Sequence, residues 1–230
     1  MGRHVVMNLA SPNWHPVRAG LGELWSGSAG AAEGRQRAPV DMVSPPPRLA
    51  EVVPGMVEFI ADASRVWDAH WRTLPRPGLV PLRSVFDPLA VPGLLPHMLI
   101  CDLTEPTIVR IRLVGTGMAS NFGFDPTGGD YLDLVAPDRR EEAFAGFLVP
   151  ASHPCGMRVL GESRYDSGKV MAVEALGFPF HRDDGAGSQL VFVGSNIDAN
   201  LGRWPELGRM TSFHVDRRDF VDIGGGIPAD

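Results

Sequence analysis

From Pro54 onward the apolar positions follow two different periods. Val57, Ile60, Ala61, Ser64, Trp67, Trp71 and Leu74 recur at helical spacing, with Glu58, Asp62, Arg65 and Arg72 mostly on other sides. Pro54 suits a first helical turn and Pro75-Arg-Pro77-Gly78 stops the run, which predicts an amphipathic helix over 54–74. Residues 75–96 hold six prolines and no period, so an ordered but irregular connector is expected there.

Strand patterns take over after it. Residues 97–103 form a short apolar run, and 107–116 alternates Val109, Ile111 and Leu113 against Arg110 and Arg112. Glu105-Pro106 makes a hairpin of the two. Further strands are predicted at 155–164, 169–180 and 189–198, joined by the turn clusters Tyr165-Asp-Ser-Gly168 and Arg182-Asp-Asp-Gly-Ala-Gly187. Between the two groups, 117–122 supplies about one helical turn and 137–148 reads as a helix, with Pro137 in its first turn. Short loops between neighbouring strands favour an antiparallel meander.

The last two strands are apolar on both faces. Leu176 and Phe178 oppose Met171, Val173 and Ala175, while Leu190 and Phe192 oppose Val191, Val193 and Ile197. A sheet with one wet face alternates cleanly, so both faces should be covered. The helices at 117–123 and 137–148 can cover one, and the 54–74 helix or a second subunit the other.

Composition narrows the class. The chain has 230 residues, 44% hydrophobic and 21% charged, enough for a buried core. A net charge of −6 and unclustered arginines argue against nucleic-acid binding through a broad basic surface. Cys101 and Cys155 cannot form a disulfide framework, and no apolar run reaches membrane-spanning length. A soluble, cytoplasmic protein without membrane association is expected. Residues 1–53 are rich in Gly and Pro and end near Ser44-Pro-Pro-Pro47, which predicts a flexible N-terminal extension, although Trp14 and Trp25 lie within it.

Candidate chemistry is sparse. His153 beside Cys155 lacks the converging partners a metal or haem site requires, and reads as a loop histidine next to a buried thiol. Gly115-Thr-Gly117 has no third glycine and no parallel βαβ unit, so it reads as a strand-to-helix turn. Ser120-Asn121 closes that turn and is assigned to capping before ligand contact. Asp138, Glu141 and Glu142 fit a helix start, and Asp183-Asp184 a loop. No hydrolase, P-loop or zinc-protease motif is present, and the protein is expected not to be an enzyme. Arg110, Arg112 and Glu174, interior to strands, must face solvent or a helix end, or find partners.

The words Trp71-Arg-Thr-Leu-Pro-Arg-Pro-Gly78, Pro81-Leu-Arg-Ser-Val-Phe-Asp-Pro88, Leu94-Leu-Pro-His-Met-Leu-Ile-Cys-Asp102, Arg112-Leu-Val-Gly-Thr116, Phe122-Gly-Phe-Asp-Pro-Thr-Gly128 and Phe178-Pro-Phe180 occur in that order. Together they resemble a bacterial family of PAS-like (Per-Arnt-Sim) proteins, over about 54–200. The resemblance implies an α+β fold: a five-stranded antiparallel sheet of order 2-1-5-4-3, short helices on one face, and an N-terminal helix. It also implies a pocket between that face and the helices that takes a small molecule or cofactor of unspecified identity. Phe144, Phe147, Leu148, Met157, Phe178 and Phe192 are the candidate lining residues. Val57, Ile60, Ser64, Trp67 and Trp71 are the candidate homodimer interface. Residues 201–230 are expected to be a short C-terminal tail, too short for a catalytic output domain. The expected function is therefore a stand-alone sensory or regulatory protein acting through a separate signalling partner. The alternative is a ligand-free dimerisation or docking module.

Overall fold

In the computed structural model, residues 57–105, 107–185, 187–197 and 207–228 are described; the expected extension over 1–53 and the start of the expected helix at 54–56 lie outside them. The elements are α1 (Asp62–Thr73), β1 (Met98–Glu105), β2 (Ile108–Val114), α2 (Thr116–Phe122), α3 (Arg140–Ser152), β3 (Gly156–Tyr165), β4 (Val170–His181), β5 (Ser188–Asn196) and β6 (Met210–Val221). The strands form one antiparallel sheet of order β2-β1-β5-β4-β3-β6. The irregular connector folds into three short 3-10 turns that bury Val80, Phe86, Val91 and Leu94.

The sixth strand corrects the five-stranded expectation and the expected tail at 201–230: Met210–Val221 pairs along the whole length of β3. The pattern that would have revealed it is broken at its centre. Gly161 pairs with Val215 and Leu160 with Arg217, so Asp216 is an unpaired extra residue, a β-bulge. The bulge shifts the period of two by one position. Phe213 and Val215 before it, and Phe220 after it, consequently pack on the same side of the sheet. Read as a straight alternation, the segment has apolar residues on both faces and charged residues on both, and gives no strand signal.

Both faces are covered within one chain. On the outer face, α1 lays Trp67 and Trp71 across Met98, Ile100, Leu176, Phe178, Phe180, Val191 and Val193. The Trp71 and Phe178 rings stack 4.6 Å apart, and the Trp67 indole nitrogen donates to the Val191 carbonyl at 3.2 Å. The inner face, carrying Leu99, Val109, Ile111, Met157, Val159, Leu190 and Phe192, is covered by α3 and the 3-10 turn at Tyr131–Leu134.

The beginning of α1 is fixed by a charge from the sheet. Ala61 caps the helix without a side-chain hydrogen bond, leaving backbone N–H groups exposed at its start. The Glu174 carboxylate on β4 accepts from the Ile60 N–H at 3.1 Å and the Ala61 N–H at 2.7 Å. Glu174 is fully buried, and Arg158 of β3 neutralises it at 2.7 Å while also donating to Asp219 of β6 at 3.0 Å. This resolves Glu174 as a partnered anchor. Of the two strand arginines, Arg112 pairs with buried Asp102, and Arg110 donates to the Gly128 carbonyl at 2.9 Å.

Two outcomes follow for stability. Glu174→Ala should lower the unfolding free energy by about 3–5 kcal/mol, because it leaves the buried Arg158 Nε and the Ile60 and Ala61 N–H groups without an acceptor; replacing Arg158 and Glu174 together by Met and Leu should cost less. Trp71→Ala should cost about 3–5 kcal/mol by opening a cavity. Urea unfolding of the variants measures both, and a fully stable Trp71→Ala protein would mean that α1 does not close the outer face.

Candidate functional site

The inner layer leaves a gap. A cavity of about 100 Å³ lies between the sheet and the covering α2, Tyr131–Leu134 turn and α3. It exists because the chain places little bulk there: Ala175 and Gly194 on the sheet and Ala143 on α3 line it. Larger residues form the surrounding walls, among them Leu99, Met118, Leu134, Met157, Val159 and Val173. Phe192 holds one side. It sits opposite Gly177 across β5 and β4, and a Cβ at Gly177 would lie 2.2 Å from its ring, so glycine there lets the ring lie flat over β4. Phe192 then meets Phe147 edge-on at 5.6 Å, and Phe147 meets Tyr131 at 5.0 Å.

Polar groups are confined to a few places on this apolar wall. Asn121, Tyr131, Ser163 and Tyr165 contribute neutral ones. Burial pushes the Tyr131 phenol well above its ordinary value, opposed by the nearby Arg218 charge. Burial also raises Tyr165, against a hydrogen bond with Ser163. Both therefore remain protonated at neutral pH and able to donate. Charge is concentrated where α3 meets β6, with Arg139, Glu142 and Arg218 on the cavity wall. Arg139 Nε lies 3.3 Å from Glu142, and Arg139 Nη2 donates to the Val215 carbonyl at 3.2 Å.

Of the six candidate lining residues, the structure brings Phe147, Met157 and Phe192 to the cavity. Phe178 is instead on the outer face, stacked on Trp71, because it shares strand parity with Leu176 and not with Ala175. Phe144 packs against the inner core without lining the cavity, and Leu148 is partly exposed. The buried positions of α3 are Ala143, Gly146, Phe147 and Pro150, the i, i+3, i+4, i+7 stripe. Helical spacing carries the signal for which side of α3 faces the cavity.

The candidate dimer residues divide similarly. Ser64, Trp67 and Trp71 are completely buried within the chain, and Val57 packs partly against the same core; these belong to the closure of the outer face and present no surface for a second subunit. Only Ile60, 36% exposed, keeps substantial accessibility.

The remaining motifs resolve locally. His153 Nε2 lies 3.3 Å from the Gly226 carbonyl, and among the described residues no group of three or more His, Cys, Asp or Glu converges to hold a metal. Ser120 Oγ donates to the Thr116 carbonyl at 2.9 Å, while its neighbour Asn121 reaches the cavity. Asp183 accepts from Ser84, and Asp184 from Arg182 at 2.6 Å. Residues 115–117 form the turn from β2 into α2. No helix among the described residues is long and apolar enough to cross a membrane.

Both thiols are inaccessible. Burial raises Cys101 strongly, with Asp102 and Asp130 adding to it, and Cys155 is pushed up to about 12 by burial and then by Asp222. At pH 8 an aromatic disulfide reagent should therefore modify neither thiol of the native protein within minutes, and both after denaturation. One rapidly reacting thiol would show that its surroundings open in solution.

Comparison with known proteins places this arrangement. The sequence matches the family described as PAS domain over residues 61–195. No curated protein matches the chain. Similar solved structures include a light-oxygen-voltage domain studied with a flavin analogue, 13% identical, covering 49% of this chain and 84% of that one at a TM-score of 0.39. The light-state LOV domain of the blue-light photoreceptor Aureochrome1 is 15% identical, covering 48% and 88% at 0.37. The Vibrio cholerae VqmA dimer without target DNA is 17% identical, covering 56% and 59% at 0.36.

Proposed function

Because the chain belongs to the PAS domain family, we propose that it is a sensory or regulatory protein that takes a small molecule into the inner cavity and acts through a separate partner protein. The observation that carries this reading is the cavity itself: about 100 Å³, walled by apolar side chains with a few polar groups at its edges. That composition matches small-molecule sites, in which apolar walls supply affinity and a few polar groups fix orientation.

The size limits the occupant. A cavity of about 150 Å³ takes benzene, so the smaller space here accepts an apolar body of fewer than six carbons. Larger ligands require α3 or the Tyr131–Leu134 turn to move outward. Binding without catalysis is supported by the protonated phenols of Tyr131 and Tyr165, which serve as hydrogen-bond donors and are poorly suited to act as bases. If the protein pairs with itself through the α1 segment, Ile60 and Val66 are the exposed apolar positions left for the contact, at 36% and 49%.

Native mass spectrometry of the full chain should show additional mass that disappears on denaturation. Ala175→Leu, which extends a side chain into the cavity from the middle of β4, should remove that mass while leaving the protein folded. A chain without additional mass, whose melting temperature responds to no compound in a small-molecule screen, would instead support the ligand-free docking module.

A further inference from the structure

Arg218 is the cation at the cavity whose charge the described part of the chain leaves unanswered. Its Nε is buried without a hydrogen-bond partner. Glu142 is the carboxylate that acts on it most, yet Glu142 is engaged by Arg139. Arg139 is itself satisfied by Glu142 and the Val215 carbonyl, so the corner holds two arginines and one acid. Burial lowers the Arg218 pKa and Arg139 lowers it further, while Glu142 and Tyr131 oppose the shift. A guanidinium Nε shielded from water without an acceptor is unfavourable, and an anion entering the cavity can supply that acceptor.

Two backbone features place Arg218 there. The bulge at Asp216 moves Arg218 onto the inner side with Phe213 and Val215; without it, Arg217 would take that direction. On the facing helix, a Cβ at Gly146 would lie 2.5 Å from the Arg218 Cζ, so glycine makes room for the guanidinium between α3 and the sheet. Arg218 also lies beyond residues 61–195, outside the span shared with the family.

We propose that the cavity takes a small amphipathic carboxylate, its apolar body against Ala175, Gly194 and Phe192 and its head group paired with Arg218. This rests on the small-molecule reading above. The planar guanidinium fork matches a carboxylate in shape. One unanswered positive charge beside Glu142 balances a monoanion, whereas a phosphate monoester would leave its second negative charge facing that carboxylate.

Calorimetric titration of the full chain with pentanoate, 1-pentanol and pentyl phosphate tests the assignment. Pentanoate should bind at least about tenfold more tightly than 1-pentanol and than pentyl phosphate, the gain expected of a charge-assisted hydrogen bond. Arg218→Met should abolish the preference over pentanol by weakening pentanoate alone, and Arg218→Lys should keep part of it. Unchanged pentanol affinity and circular dichroism establish that each variant is folded. Equal affinity for pentanol and pentanoate in the wild type, or a preference that survives Arg218→Met, overturns the anion assignment and leaves the cavity reading standing. Tighter binding of pentyl phosphate overturns the choice of carboxylate. Failure of all three probes to bind overturns both.

Discussion

The buried carboxylate of Glu174 is the constraint around which the outer half of the molecule is organised. It occupies an inaccessible position on β4, where an unpaired charge would be prohibitively unfavourable. Its surroundings are therefore committed: Arg158 must stay opposite it, Asp219 must hold the far side of Arg158, and the backbone entering α1 must present its N–H groups. A carboxylate at a helix N-terminus also meets the positive end of the helix dipole. Ion pair and indole packing thus specify one position for α1, the charges fixing where it starts and Trp67 and Trp71 fixing which side faces the sheet.

The inner half follows a different logic, the withholding of bulk. Ala143 on α3 faces Ala175 and Gly194 on the sheet, so the two layers meet around space instead of interdigitating. Interiors are ordinarily packed to crystal-like density, and a gap forfeits the dispersion contacts that would fill it. The walls persist because aromatic contacts around the gap, Phe192 to Phe147 to Tyr131, brace the covering layer. The two faces of one sheet thereby acquire opposite properties: one closed by rings and a buried ion pair, the other hollow.

Much of this was legible in the alternation of β4 and β5. Apolar residues on both faces required two covering layers, and the chain supplies both from its own helices. The same alternation places Phe178 with Leu176 and away from Ala175, so its outer position follows from parity even though its size suggests a pocket residue. Trp67 and Trp71 had a legible stripe but an ambiguous partner, since a helical stripe looks the same whether it meets its own sheet or a second subunit. β6 was hidden for a physical reason: the Asp216 bulge converts one alternating strand into two half-strands of opposite phase. Arg218 was hidden with it, because only the bulged register shows that an arginine belongs to the inner face.

The two halves meet in adjacent residues of β3 and β6. Val159 pairs with Arg218, and the next pair along the strands is Arg158 with Asp219. One step of the pleat thus separates the guanidinium at the cavity from the ion cluster that holds the start of α1. A ligand shifts a structure only by the difference in its affinity for two arrangements, so coupling of the cavity to α1 requires an element that contacts both. Such an element is present at the level of a single peptide unit: Arg218 and Asp219 are neighbours on β6, and Asp219 is the second carboxylate on Arg158, across from Glu174. The bulge between Val215 and Arg217 sits immediately beside this step, where the ladder is interrupted and the strand bends.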